Sequence, residues 1–320
     1  MAQSRRSFLQ AAAALPAAAA LPATVSSAQG AEPPAPTQPR RQPELPTVAF
    51  GKHRITRMII GSNPLYGYSH FNKWLDAHYS EYFTPEQKLR LLLHAEAMGI
   101  NTWQVHYNDQ PAGNSPVDDY KRYRAAGGKM NLVLLADFAL MKDYKLVPEV
   151  VKTMQPISIA HHGGVTDNKF RNGQKQSIRD FLKAVHDAGV MAGVSTHNPG
   201  VVDVAESEGW ENDYYMTCLY RVSRTVEESR AEFGEAPLGE SFMERDPERM
   251  YKMIRATKKP CLAFKVMGAG RNIDSPQHVE QVLRTAYASI KPTDAVIVGM
   301  YGKFKDEAAE NTALAREILS

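Results

Sequence analysis

From residue 58 onward, short apolar runs alternate with stretches in which apolar residues recur every three or four positions. The runs at residues 58–62, 102–106, 132–137, 157–161, 192–196, 214–219, 262–267 and 295–299 predict strands buried on both faces. The stretches at 85–98, 177–188, 246–257 and 276–289 predict amphipathic helices that cover those strands. Thr84 before Pro85 reads as a helix cap and first turn, and Gly99 and Gly189 read as helix ends. No internal repeat is visible. Eight strands with intervening helices, and no Gly-x-Gly-x-x-Gly after the first strand, predict an α/β fold. The architecture expected is a single (β/α)8 TIM barrel rather than a doubly wound sheet.

The segment before this pattern reads differently. Residues 1–28 place Arg5 and Arg6 ahead of an Ala/Leu stretch and end in the small residues Ser26 and Ala28. The run Ser4-Arg5-Arg6-Ser7-Phe8-Leu9 closely resembles the twin-arginine export signal of bacteria. That resemblance implies a cleaved signal peptide, a periplasmic or otherwise exported mature protein, and the twin-arginine export machinery as a partner during transport. It also implies that the cargo crosses already folded. Pro16 and Pro22 interrupt the apolar stretch, so no stable membrane insertion is expected after cleavage. Residues 29–46 are proline-rich and read as an extended linker, which leaves residues 47–320 for the barrel.

Composition narrows the function classes. The chain has 320 residues, 43% hydrophobic and 23% charged, with a formal net charge of +3. Acids and bases are interspersed, so no nucleic-acid footprint is expected. Two cysteines, Cys218 and Cys261, are too few for a disulfide scaffold and are expected as free buried thiols.

In a barrel of this kind the chemistry sits at the C-terminal ends of the strands. Asn63 follows the first strand, and Gln104 and His106 share one face of the second, pointing inward. Asp137 ends the third, and His161-His162 end the fourth, where either histidine can be the inward one. Ser195-Thr196-His197-Asn198 end the fifth, with Asn198 also a helix cap. Tyr220 follows the sixth, and Lys265 interrupts the apolar run of the seventh. A lysine there either loses its charge or pairs with a carboxylate such as Asp137. It suits a general base, a Schiff-base nucleophile or an anion anchor. Gly268-Ala269-Gly270-Arg271 can seat an anionic group. Gly163-Gly164 permit a close ligand approach or an unusual backbone angle. Tyr66, Tyr68, His70, Trp74 and Tyr79 enrich the first loop in aromatics, as a sugar-stacking lid would. His161, His162 and His197 on one rim would suit a zinc, manganese or iron ion.

Several stretches together carry a family resemblance. The opening from Phe50-Gly51-Lys52 to Gly61-Ser62-Asn63-Pro64 resembles the start of the aldo/keto reductases. Gly99-Ile100-Asn101-Thr102 resembles their second strand, Gly193-Val194-Ser195 their fifth and Ala263-Phe264 their seventh. Val296-Ile297-Val298-Gly299, followed by Glu310-Asn311, resembles their eighth strand and cofactor-phosphate helix. The resemblance implies NADP held by Ser195, Phe264, Gly299, Lys303 and Asn311. It also implies a catalytic tetrad, of which only His161 matches. Gln104 stands at the Asp position, Asp109 near the Tyr position and Asp137 near the Lys position.

These readings combine into one expectation with two alternatives. The leading expectation is an exported barrel enzyme that moves protons on a small carbonyl, sugar or hydroxy-acid substrate without redox chemistry, as an isomerase, lyase or hydratase does. Lys265, His106, Asp137 and His161 are its candidate catalytic residues. Asn63, Tyr66, Gln104, Tyr220 and Arg271 are its candidate substrate contacts, and a divalent metal is its candidate cofactor. The first alternative is a reductase with tightly bound NADP and Tyr107 or Tyr66 as proton donor. The second is a saccharide-binding barrel without catalysis.

Overall fold

The computed structural model describes residues 44–108 and 115–320. The leader, most of the linker and Asp109 lie outside the described residues. The strands are β1 Thr47–Phe50, β2 His53–Thr56, β3 Met58–Gly61, β4 Thr102–His106, β5 Asn131–Leu135, β6 Ser158–His161, β7 Met191–Thr196, β8 Tyr214–Cys218, β9 Cys261–Phe264 and β10 Ala295–Gly299. β3 to β10 pair in parallel and in sequence order, and β10 closes on β3 through Val296↔Met58 to Gly299↔Gly61. This is the (β/α)8 barrel expected from the alternating pattern.

Residue alternation divides the strands into two apolar layers. Met58, Ile60, Trp103, Val105, Leu132, Leu134, Ile159 and Val194 face outward and pack under the helices, in the larger core. Ile59, Val133, Ala160, Tyr214, Met216, Leu262 and Ile297 face inward. The inner layer is completed from below by the antiparallel hairpin β1–β2, whose register pairs Val48 with Ile55 and Phe50 with His53. Gly51 turns the hairpin at φ +57, a conformation that favours glycine. Phe50 is fully buried and meets the Tyr214 ring edge-on at 4.8 Å between centroids. The hairpin therefore plugs the N-terminal end of the barrel, and the C-terminal end is left for a ligand. Leu45, inside the proline-rich stretch, is also buried in the outer core.

The helices 85–98, 177–188, 246–257 and 276–289 are found as Pro85–Ala97, Lys175–Asp187, Asp246–Ala256 and Pro276–Ser289. Thr84 caps the first of them by accepting from the Gln87 amide. Two differences matter for the rim. The seventh barrel strand stops at Phe264, three residues short of expectation, because Lys265 enters the left-handed region at φ +59 and the chain turns back. The loop after β3 is not irregular throughout, since it contains the helix Lys73–Tyr82. Among the described residues, no helix is long and apolar enough to cross a membrane.

Candidate functional site

The C-terminal face opens into a cleft. It is lined by Gln104 and Phe264 from the barrel strands, by Asn63 and His70 from the segment after β3, and by Lys265 and Met267 from the segment after β9. Gly299, Glu307 and Asn311 line its outer end. It thus runs from the barrel axis outward to the helix Glu307–Leu319.

His106 and Gln104 both face inward, as the spacing on β4 requires. The His106 ring meets Tyr66 and Tyr68 edge-on at 4.9 and 5.2 Å. Burial lowers its pKa to about 4, assisted by the charges of His162 and Lys88. Below Tyr66, the Lys88 ammonium sits 4.2 Å over the ring and pairs with Asp119 at 2.9 Å, both side chains buried.

The two adjacent histidines resolve in favour of His162. His161 faces outward with Ile159, fully buried, and its ring meets Phe181 of Lys175–Asp187 at 5.2 Å. Its Nδ1 lies 2.7 Å from the Thr166 hydroxyl, which itself donates to the His162 carbonyl. Nδ1 must therefore carry the proton, and Nε2 is left buried without a partner among the described residues. Burial lowers the His161 pKa to about 3, so it packs as a neutral ring. The catalytic and metal-ligand roles expected of His161 are overturned by this placement, because it points into the helix layer. His162 caps the following helix Gly163–Arg171 and lies 5.3 Å from the exposed Phe138 ring. Its pKa is lowered to about 4 by burial, and next by the charge of His197.

His197 belongs to a dyad that no local motif announces. Its Nδ1 donates to Asp167 Oδ2 at 2.9 Å and its backbone amide donates to the same oxygen at 3.1 Å. Thr196 donates its hydroxyl to Asp167 Oδ1. Burial alone would raise the Asp167 pKa, but the hydrogen bonds from His197 and Thr196 outweigh it and hold the carboxyl ionised. Gly163 makes room for this arrangement, since a Cβ there would come within 2.9 Å of His197 Cε1. That close approach by a side chain, rather than a positive φ, explains the glycine. Asn198 caps Pro199–Ser207 as expected. Asp167 and His197 are 30 residues apart, and only the fold brings them together.

Lys265 lines the cleft beside Phe264, its ammonium 5.8 Å from that ring's centre. Burial lowers its pKa, with Cys218 and Glu240 opposing and Arg271 adding to the shift. Asp137 is not its partner. That carboxylate accepts from the Leu140 amide and caps Phe138–Lys142, so the strand-end Asp is a helix cap and the expected pairing with Lys265 is not made. Among the described residues no carboxylate lies within ion-pair distance of Lys265. Glu240, near enough to feel its charge, accepts instead from His70 Nδ1 at 2.8 Å. The other ring nitrogen of His70 meets the Asn63 amide at 3.0 Å, so Asn63 is tied through His70 to Glu240, 170 residues beyond that histidine.

The remaining expectations divide. Asn63 and Gln104 line the cleft, as do Phe264, Gly299 and Asn311 of the cofactor set. Ser195 is buried beside Gly163, and Lys303 lies outside over Tyr82 and Phe304. Tyr220 receives a hydrogen bond from Asn272 and packs on Phe242. Arg271 lies 3.8 Å over the Phe242 ring and donates to the carbonyls of His70 and Gly268. It ties two loops together instead of seating an anion. The trio of imidazoles expected for a metal does not converge, and among the described residues no three metal-ligating side chains cluster. Cys218 and Cys261 are free and buried, their thiols pushed up to about 12 by burial.

Comparison with known proteins supports two of these conclusions. The family described as the TAT (twin-arginine translocation) pathway signal sequence matches residues 3–22. A truncated form of 3-deoxy-D-arabino-heptulosonate 7-phosphate synthase from Thermotoga maritima is 15% identical, with 87% of this chain and 92% of that one covered and a TM-score of 0.50. N-acetylmannosamine-6-phosphate 2-epimerase from Clostridium perfringens is 14% identical over 76% of this chain and 85% of that one, with a TM-score of 0.41. A sugar phosphate isomerase/epimerase from Parabacteroides distasonis is 10% identical over 82% and 95%, also with a TM-score of 0.41. At such identities the likeness is one of fold. No curated protein sequence matches this chain. The chain is a (β/α)8 barrel that carries a twin-arginine signal and is exported by that route.

Proposed function

We propose that this barrel is an enzyme that transfers protons on a small hydroxy-carbonyl compound, of the isomerase or lyase type. The observation that carries the reading is Lys265, an amine set in the cleft with no ion-pair partner among the described residues and close enough to His162 to couple to it. Removing a proton next to a carbonyl needs a base in its unprotonated form and a donor aimed at the oxygen. Desolvation favours the neutral amine of Lys265, and His106 and His162 are unprotonated bases at neutral pH. The electrophile's place falls to His197, oriented through its Nδ1 by Asp167. Asn63 and Gln104 are placed to hold hydroxyl groups.

The test is exchange of substrate C–H for deuterium, followed by NMR, with the exported protein and a panel of small aldoses, ketoses and 2-oxo acids. We expect exchange with at least one member, and a loss of about 100-fold or more in Lys265→Met. Unchanged exchange in a folded Lys265→Met protein would reject the reading.

A second reading follows from the resemblance to the aldo/keto reductases. Phe264, Gly299 and Asn311 line one cleft. Phe264 offers a face for a nicotinamide. The outer end fits a phosphate poorly, because Glu307 lines it and Lys305 is paired with Glu310 at 2.9 Å. Native mass spectrometry of the exported protein distinguishes the two readings, since a retained dinucleotide would favour reduction.

A further inference from the structure

We propose that Lys265 acts as a nucleophile that forms an imine with the carbonyl carbon of an aldehyde or ketone substrate. The inference rests on the carbonyl-processing reading of the cleft and gives that reading a covalent intermediate.

Three observations place the amine for this role. Other lysines drawn into the fold are matched by oxygen. Lys88 has Asp119 at 2.9 Å, Lys259 has the Trp210 carbonyl at 2.8 Å, and Lys291 has Asp294 at 2.9 Å. The Lys265 ammonium makes no hydrogen bond or ion pair among the described residues, although the residue lines the cleft. A lysine kept for stability would be paired, since an unpaired buried ammonium is costly. Second, its backbone sits at φ +59, in a run where Gly268, Ala269 and Gly270 are also positive. Such a conformation costs roughly 1–3 kcal/mol at a residue with a Cβ, and it ends β9 where the side chain turns into the cleft. Third, His162, a group able to move protons, stands close enough to couple to it. His162 responds to the charge of Lys265 and of His197, and His197 is fixed by Asp167 with Nε2 unbonded among the described residues.

The steps balance without any added oxidant or reductant. The lone pair of the neutral amine attacks the carbonyl carbon, and the C=O π pair becomes an alkoxide that takes a proton from solvent water, the one net proton the protonated imine requires. One amine proton passes to a neutral imidazole, giving a carbinolamine. Protonation of its hydroxyl expels water as the C=N bond forms. The protonated imine then withdraws electrons from the adjacent carbon, so His162 or His106 can remove a proton there. Reprotonation at a neighbouring carbon and hydrolysis return the amine and an isomerised carbonyl compound.

The experiment treats the exported protein with dihydroxyacetone, glyceraldehyde or pyruvate in the presence of cyanoborohydride, and maps adducts by peptide mass spectrometry. We expect the peptide bearing Lys265 to gain the mass of the carbonyl compound less one oxygen, with labelling about tenfold above that of any exposed lysine. Lys265→Arg, which keeps the charge, and Lys265→Met, which keeps the length, should both lose that adduct. Circular dichroism melts would establish that they fold. Adducts spread over surface lysines with none at Lys265 overturn the proposal. Deuterium exchange without an adduct also overturns it and leaves proton transfer standing. An adduct at Lys265 without exchange by any substrate supports the nucleophile and removes the isomerase reading.

Discussion

At the scale of single residues, the rim is a set of groups held away from their ordinary charge. His106, His162 and, behind them, His161 stay neutral in the fold because burial disfavours the imidazolium. Unfolding frees each to titrate near pH 6.5. Between pH 6.5 and about 4 the unfolded chain therefore binds more protons than the folded one, and stability falls as pH falls through that window. Above pH 6.5 these groups contribute nothing to the slope. Each could account for roughly 2–3 kcal/mol by pH 4. Urea midpoints measured from pH 8 to pH 4 should drop across that range, and His161→Gln should make the drop shallower. A flat profile would show that these rings are hydrated in solution. Some of these residues were legible in one dimension and others were not. Gln104 and His106 were legible because two positions on a strand share a face. His161 and His162 were not separable, because β6 has only four residues and both neighbours of the pair are small or apolar. Asp137 was misread because a strand-end carboxylate and a helix cap look alike in one dimension. Asp167 and Glu240 carried no signal, since their partners stand 30 and 170 residues away.

At the scale of elements, the hairpin β1–β2 is the part whose removal should cost most for its size. Phe50 fills the lower mouth of the barrel against Tyr214, together with Val48 and Ile55. Phe50→Ala leaves a cavity between hairpin and barrel and should destabilise by about 3–5 kcal/mol. Chemical denaturation would measure it, and a loss under 1 kcal/mol would mean that the hairpin is not a structural plug. Strand positions were legible because runs buried on both faces leave unbroken apolar stretches. The helix Lys73–Tyr82 was not, because it buries none of its residues completely and so prints no apolar stripe. The early stop of β9 was also hidden. A strand that continues and one that breaks into a left-handed turn read alike while the residues stay apolar.

At the scale of the whole molecule, a basic pair at the N-terminus decides where the barrel works. Arg5 and Arg6 lie within the matched signal, residues 3–22. Replacing both by lysine should retain the precursor in the cytoplasm, as cell fractionation and immunoblotting would register. Continued export would point to another route. The route takes folded cargo, and this gives the barrel's closure a consequence in time. β3, the first barrel strand made, has β10, the last, as one of its two neighbours. Arg57, just before β3, donates to the carbonyl of Asp294, 237 residues later. Until synthesis reaches that point, one edge of β3 waits unpaired and the hairpin has only part of its socket. The signal is displayed from the first moments of translation, whereas the cargo becomes complete only at the end. Export competence is thus a property acquired late and all at once, and a chain cut short before β10 would carry the address without ever meeting the condition for using it.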